Sequence, residues 1–513
     1  MPVARTRSIA LLGLTGSVVE VEADLSSQLP GFVIIGLPDA ALTEARERVR
    51  SAAVNAGCPL PQRKLTVNLS PAALPKHGSG FDLAIAIACL AAAGEVSVES
   101  VDRVVHLGEL GLDGRLRPID GILPAVLAAV RAGHDTVMVP SANAAEAALV
   151  PGVEVIGVSS LLEAAIRHGG EYDEQVVEAV PAIVRGDDGE PVVGDLADIA
   201  GNGDAVEALI TAAAGGHHLF LLGPPGAGKT MLASRLPGIL PDLDSDAALE
   251  VSSIRSLSGR PLGAALSVRP PFEAPHHTAS AAAIVGGGSR VIRPGAAARA
   301  SHGVLFLDEA PEFASTVLDV LRQPLESGTI SIHRASAVAS FPARFQLVIA
   351  ANPCPCGHHG VDDTSCTCSP VVRRRYLARI SGPLLDRIDL QILVPRITTA
   401  GIRMAAELPG LSSAEARVRV DAARAVARDR LQATPWRTNA EMPGPWMRGA
   451  GHLHPGGRAS AALDRALERG GITMRGYDRV LKTAWTIADL DGVAVPTADH
   501  VGRAYFMRKG ISA

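Results

Sequence analysis

The chain has 513 residues, enough for two to four domains with separate buried cores. With 47% apolar and 20% charged residues it is globular rather than disordered, and a net charge of −5 excludes a protein that coats nucleic acid by bulk positive charge. Lys64, Lys76, Lys229, Lys482 and Lys509 are its lysines, so arginine is the default basic residue and arginine content alone says little about partners.

In chain order, Arg5 and Arg7 precede an apolar run at 9–19. That run passes into Val19-Glu20-Val21-Glu22, the alternation of a half-buried strand rather than a signal-peptide cleavage site. The longest apolar run, 83–93, follows Asp82 and is too short for a membrane span, so a cytoplasmic protein without membrane contact is expected. Strand-like segments at 18–23, 32–36, 64–69 and 104–109 alternate with helix-like runs at 40–56 and 81–93. They predict an α+β unit over residues 1–180, in which Cys58 and Cys89 are small buried hydrophobes. A Gly-, Asp- and Pro-rich stretch, 181–195, reads as a linker.

Residues 196–396 carry the chemistry. A short buried strand, 218–222, leads into Gly223-Pro224-Pro225-Gly226-Ala227-Gly228-Lys229-Thr230, followed by a helix opening at Met231. This is the G-x-x-x-x-G-K-T phosphate loop in its confirming strand–loop–helix context. Glycines let backbone N–H groups face phosphate oxygens, Lys229 can reach the β- and γ-phosphates, and the Thr230 hydroxyl can ligate Mg²⁺. A second buried strand, 303–307, ends in Asp308 and Glu309, suited to hold Mg²⁺ and to polarise the attacking water. A third, 345–351, ends at Asn352, placed to orient that water or touch the γ-phosphate. The three ends fit one parallel sheet with ATP at its carboxyl edge.

Beyond Asn352, Cys354, Cys356, Cys366 and Cys368 crowd into fifteen positions. In a reducing compartment such clustering favours a structural Zn²⁺ over disulfides, with His358 and His359 as substitute ligands; unliganded thiols are the alternative. Residues 397–513 are mostly helical. Ser412-Ser413-Ala414-Glu415 is a capping-box opening for a helix reaching Leu431, and Gly470-Gly471 separates two more.

With these residues in place, the chain resembles AAA+ ATPases, specifically the magnesium-chelatase-like branch of the ComM/YifB family. The marks are Ala274-Pro-His-His-Thr-Ala279, Val285-Gly-Gly-Gly288, 303–313, Ala351-Asn-Pro-Cys-Pro-Cys-Gly357 and Ile380-Ser-Gly-Pro-Leu-Leu-Asp-Arg-Ile-Asp389. The resemblance implies an α/β phosphate-loop core with a helical lid and a homo-hexameric ring. It makes Asn352 sensor 1, Arg387 the finger reaching a neighbouring subunit's nucleotide, and Arg475, opening the helix 476–490, sensor 2 of the lid. A finger in trans is worth about 10³–10⁵ in turnover. An ion pair with Asp386 or Asp389 is the alternative use of Arg387, and Arg379, expected in a surface ion pair, is the reserve finger. Two positions depart from the family pattern: Asn202 where relatives often have Gln, and Trp485 where they often have Arg.

Residues 1–170 resemble the ribosomal-S5-type domain shared with Lon proteases, through 64–69, 75–82 and 108–121. Carried over residue by residue, the Lon serine falls on Gly80 and its lysine on Leu123, with Ser79 displaced, so peptidase chemistry is not expected. Two segments look like the insertions by which relatives reach a central pore. One is a hairpin over 328–341 with His333 and Arg334 at its tip. The other is the stretch 252–300, holding Arg255, Arg260, Arg269, Arg290, Arg293 and Arg299. Interior arginines suit sequence-independent tracking of a DNA backbone. The family resemblance therefore implies a DNA helicase promoting branch migration in recombination or natural transformation. A magnesium-chelatase-type motor and a protein-remodelling ATPase are the alternatives.

Overall fold

The computed structural model describes the chain apart from residues 1–2, 37–39, 73, 75, 77–79, 182–193, 289–291, 335–337, 360–365, 398–402, 404–409, 450, 452 and 511–513. Ser79, Arg290 and most of the 181–195 linker lie outside the described residues.

Strands β1 (Ala4–Leu12) and β2 (Thr15–Ser26) form an antiparallel hairpin. Along β2, Val19, Val21, Ala23 and Leu25 are buried while Glu20, Glu22 and Asp24 point outward, the period of two that fixes its register. With β3 (Gly31–Ile35), β4 (Lys64–Ser70), β5 (Val105–His106), β6 (Thr136–Pro140) and β7 (Glu154–Val158) they make one mixed sheet, ordered β3-β4-β2-β1-β5-β6-β7. Helix α1 (Ala40–Asn55) sends Arg48 to Asp82, at the start of α2 (Asp82–Ala93), through two bonds of 2.9 and 3.1 Å. Because α2 is apolar on every side, its residues are buried from Asp82 to Ala91, and Gly94 stops it in the left-handed conformation. Helix α3 (Ile122–Arg131) begins the face toward the second sheet.

That second sheet is wholly parallel. Its strands are β8 (Leu219–Leu222), β9 (Phe272–Glu273), β10 (Val304–Leu307), β13 (Gln346–Ala351) and β14 (Leu390–Leu393), ordered β9-β10-β13-β8-β14. Between β10 and β13 the chain makes a separate hairpin, β11 (Thr329–His333) and β12 (Val338–Pro342). Every residue of β8, β10 and β13 is buried, as a sheet covered on both faces requires. One face packs on α4 (Gly203–Gly215), α5 (Lys229–Ile239) and α8 (Ser413–Leu431), through Leu209, Leu232, Leu236 and Val420. The other carries α6 (Ser245–Leu257) and a layer built on Phe313, Leu321, Ile330, Phe341 and Leu384. A further helix, α7 (Pro370–Leu377), follows the cysteine cluster.

The capping box of α8 is formed: Glu415 N donates to Ser412 Oγ at 3.2 Å, and Ser412 N to Glu415 Oε2 at 2.9 Å. Helices α9 (Met474–Leu490) and α10 (Ala498–Lys509) pack around Tyr477, Leu481, Trp485 and Val501. Trp485 donates its indole N–H to Leu453 O at 2.7 Å, and the Arg430 guanidinium lies 4.4 Å over its ring. The lid is fastened to the core by buried polar contacts. Arg479 pairs with Asp389, and His217 Nε2 lies 2.8 Å from Thr486 Oγ1.

The N-terminal sheet is seated on the same core. Gly121 N donates to Ser256 O at 3.1 Å, and Arg293 Nη2 lies 3.2 Å from Asp120. At the β1–β2 turn, Gly13 adopts φ +64°, and a Cβ there would come within 2.6 Å of Ser340 O. Leu11, Leu12 and Leu14 join the apolar layer that holds Phe341.

Candidate active site

Register brings the sequence-predicted residues to one edge. Leu222 pairs with both Ala351 and Leu393, and Leu307 with Ile349, so Gly223, Asp308 and Asn352 all leave the sheet at its carboxyl end. Between them lies a cavity of about 360 Å³ lined by Pro225, Gly226, Ala227, Gly228, Lys229, Thr230, Met231, Asp308, Glu309, Ala351 and Asn352. Gly226 and Gly228 take φ +74° and +90°, which a side chain would oppose, and α5 begins at Lys229. Gly223 has the opposite need for glycine: a Cβ there would meet Val394 O at 2.2 Å. The backbone therefore presents the helix N-terminus and its free N–H groups to the cavity, the arrangement that receives phosphate.

The side chains are tied to one another across the strands. Lys229 Nζ donates to Gly223 O (2.7 Å), Pro224 O (2.9 Å) and Asn352 Oδ1 (3.1 Å). Burial lowers its pKa, against the pull of Asp308 and Glu309. Thr230 Oγ1 donates to Asp308 Oδ2 at 2.7 Å, so hydroxyl and carboxylate stand together where they could hold a divalent cation. Asp308 Oδ1 accepts the backbone N–H of Glu309 at 2.9 Å. Glu309 itself sits at φ +49°, which turns its carboxylate out of the strand line. Its Oε2 lies 3.6 Å from His277 Nδ1, and the His277 ring packs on His276 at 4.1 Å between centroids.

His277 is one site contact that local spacing does not disclose; its only signal is the Ala274–Ala279 motif, which carries no hint of a partner more than thirty residues later. Asn202 is another. Its Nδ2 donates to Ala227 O at 3.3 Å, so the departure from Gln leaves a side chain that supports the phosphate loop from α4.

Arg387 does not take its alternative use, an ion pair with a neighbouring aspartate. It pairs with neither Asp386 nor Asp389, but with Glu326 and the carbonyl of Pro383. Asp389 is instead occupied by Arg479 and by His218 N, the latter at 2.9 Å, because it faces inward beneath the sheet. Arg379 lies on the surface, 3.0 Å from Pro311 O and 3.5 Å from Glu312. Arg475, in the first turn of α9, is exposed.

Of the 252–300 arginines, Arg260 and Arg299 both grip Glu273, at 2.7 and 2.9 Å, and the exposed Arg293 bridges to Asp120. Arg269 is exposed. The hairpin does form, with His333 and Arg334 exposed at its tip. Arg334 Nη2 lies beside Gly287 of the neighbouring insertion, and Ile332 beside Gly286, so the two segments meet.

The four clustered cysteines converge: every Sγ lies within 4.8 Å of the others, with pairs at 3.3, 3.7 and 3.8 Å. Tetrahedral thiolates at a Zn–S length of ~2.3 Å stand roughly 3.8 Å apart, so the sulfurs fit such an ion. In the N-terminal unit, Gly80, in the turn before α2, and the fully buried Leu123 of α3 offer neither nucleophile nor base. Among the described residues, no helix is long and apolar enough to cross a membrane.

Comparison with known proteins agrees with this layout. The chain matches the family profiles described as Magnesium chelatase, subunit ChlI over residues 195–402, Subunit ChlI of Mg-chelatase over 21–143, and Magnesium chelatase, subunit ChlI C-terminal over 410–508. It is 48% identical to an uncharacterized protein of Mycobacterium tuberculosis over 99% of both chains. It is 41% identical to the competence protein ComM of Haemophilus influenzae, over 98% of this chain and 97% of ComM. It is 40% identical to the uncharacterized protein YifB of Escherichia coli, over 97% and 96%. A local likeness to the Lon protease of Mycolicibacterium smegmatis, 31% over 144 residues, covers 26% of this chain and 18% of Lon.

Proposed function

We propose, from the premise that the chain belongs to the ComM/YifB family of magnesium-chelatase-like AAA+ proteins, that it is a cytoplasmic, ring-forming ATPase that drives DNA strands past one another. The observation that carries the hydrolytic part is the convergence of Lys229, Thr230, Asp308, Glu309 and Asn352 on one cavity at the sheet's carboxyl edge. Mg²⁺, when bound, would offset the negative charge of the nucleotide's phosphates. Thr230 and Asp308 would hold it. Lys229 exchanges the carbonyls of Gly223 and Pro224 for phosphate oxygens while keeping Asn352 in reach. Glu309 takes the proton of the attacking water. Arg387, now resting on Glu326, completes a neighbour's site in a homo-hexamer, with Arg475 as the lid's contribution. Residues 1–180, 196–396 and 397–513 serve as N-terminal domain, motor core and lid.

DNA as the substrate is supported by the exposed basic tip at His333 and Arg334 and by the family membership. One structural Zn²⁺ at Cys354, Cys356, Cys366 and Cys368 is supported by the sulfur spacing. The chelatase-type motor stays as the second reading because three ChlI profiles match the chain. The deciding experiment measures ATP turnover and strand exchange on single-stranded, forked and four-way-junction DNA, with an unfolded protein as control. DNA-stimulated turnover with junction migration is the expected result. No stimulation and no migration at low salt would transfer the assignment to the chelatase-type or protein-remodelling motor.

A further inference from the structure

The cysteine cluster does not stand apart from the ATP site. Cys354 follows Asn352 by two residues, and Asn352 is the residue whose Oδ1 accepts from Lys229. Gly357 N donates to Cys354 O at 3.0 Å, closing the turn that holds Cys356. That turn is laid directly on the phosphate loop: Gly357 has φ +78°, and a Cβ there would come within 2.5 Å of Pro225 Cγ. Cys354 is buried, so its sulfur cannot swing away without moving the end of β13. The loop thus touches two of the three strand ends that make the cavity, the phosphate loop and sensor 1.

We infer that zinc held by Cys354, Cys356, Cys366 and Cys368 acts as a clamp on the nucleotide site, so that metal occupancy sets ATP affinity and nucleotide occupancy sets zinc affinity. The inference rests on the ATPase and zinc readings above and adds their coupling. With four thiolates gathered on one ion, the Cys354–Gly357 turn is stiff and braces Pro225 and Asn352 in the conformation that Lys229 already uses. Without the ion the four sulfurs have no common anchor, and nucleotide must order the turn itself. Two ligands that share one ordering step favour each other reciprocally, typically by ~5–150-fold.

The test is a thermodynamic cycle on the full chain. Zinc is quantified by elemental analysis, then withdrawn with a chromophoric chelator in the presence and absence of ADP. Separately, a fluorescent ADP derivative is titrated into zinc-loaded and zinc-depleted protein, with circular dichroism to establish that both are folded. About tenfold tighter ADP binding in the loaded form, and an equal gain in zinc affinity on adding ADP, is the expected result. The Gly357→Ala variant keeps all four sulfurs but pushes the turn off Pro225; it should retain one zinc per chain and lose the coupling. ADP and zinc affinities that are independent within about twofold, or full coupling in Gly357→Ala, would overturn the clamp. Protein that binds ADP yet carries no zinc, or zinc yet no ADP, fails the underlying reading instead, so the two failures are distinguishable. The chelator arm needs no metal-free protein, so the cycle can be read even if full depletion unfolds the chain.

Discussion

Glu309→Gln is the most direct test of the hydrolytic assignment, because the structure separates what the substitution removes from what it leaves. The carboxylate lies 3.6 Å from His277, and its side chain is about half exposed (51%). The backbone N–H that steadies Asp308 belongs to residue 309 whatever its side chain, and the Thr230–Asp308 bond lies elsewhere. Nucleotide and Mg²⁺ binding should therefore persist with little change, and folding stability should stay within ~0.5 kcal/mol. What disappears is a proton acceptor beside the attacking water, since a neutral amide cannot serve. General-base catalysis contributes about 10²–10⁴ in rate, so the barrier should rise by roughly 3–5 kcal/mol. The assay pairs steady-state phosphate release with titration of a fluorescent ATP analogue on the same preparation. Expected are unchanged affinity and turnover reduced at least a hundredfold. Turnover within about threefold of wild type would remove Glu309 from the mechanism, and turnover lost together with binding would show that the residue supports the pocket instead.

Mixing Arg387→Ala with Lys229→Ala protomers should restore part of the ATPase activity that each lacks alone, because mixed interfaces can pair an intact arginine with an intact phosphate loop; rings that form but stay inactive at every ratio would refute action in trans. Arg334→Ala should impair junction migration more than DNA-free ATP turnover, and wild-type binding should weaken steeply with salt; a salt-independent interaction would exclude backbone phosphate as the contact. Arg479→Ala and Arg475→Ala, one helical turn apart, should behave oppositely in urea denaturation. The first strands the buried Asp389 carboxylate and should cost about 3–5 kcal/mol, whereas the second, exposed, should leave stability within ~0.5 kcal/mol and lower turnover. Equal effects on stability would contradict the burial argument.

What could be read from the sequence was whatever depends on local order. The phosphate loop is legible because its glycines, lysine and threonine act within eight positions of one strand–helix junction. The Ser412–Glu415 cap and the 328–341 hairpin are legible for the same reason: one turn of helix, or one reversal of strand, contains all the atoms concerned. Long-range partner choice is not encoded that way. Nothing near Arg387 announces Glu326, and the two adjacent aspartates were the more obvious partners until Asp389 turned inward to Arg479. Arg260 and Arg299 looked like free pore arginines because their acceptor, Glu273, falls in a two-residue strand too short to read from a pattern. His277 reaches Glu309 only because β9 and β10 are neighbours in the sheet.

The seating of the β1–β2 turn on the β11–β12 hairpin has a consequence for how the chain emerges during synthesis. Leu11, Leu12 and Leu14 complete their apolar environment only when Phe341, about 330 residues later, has been made. At ~5–20 residues per second that interval is roughly 15–65 s, during which the tip of an otherwise completable N-terminal sheet stays sticky and uncovered. The ribosome-bound nascent chain thus carries a hydrophobic beacon, and the translating polypeptide should recruit holdase chaperones until the second sheet and its hairpin arrive to cover it.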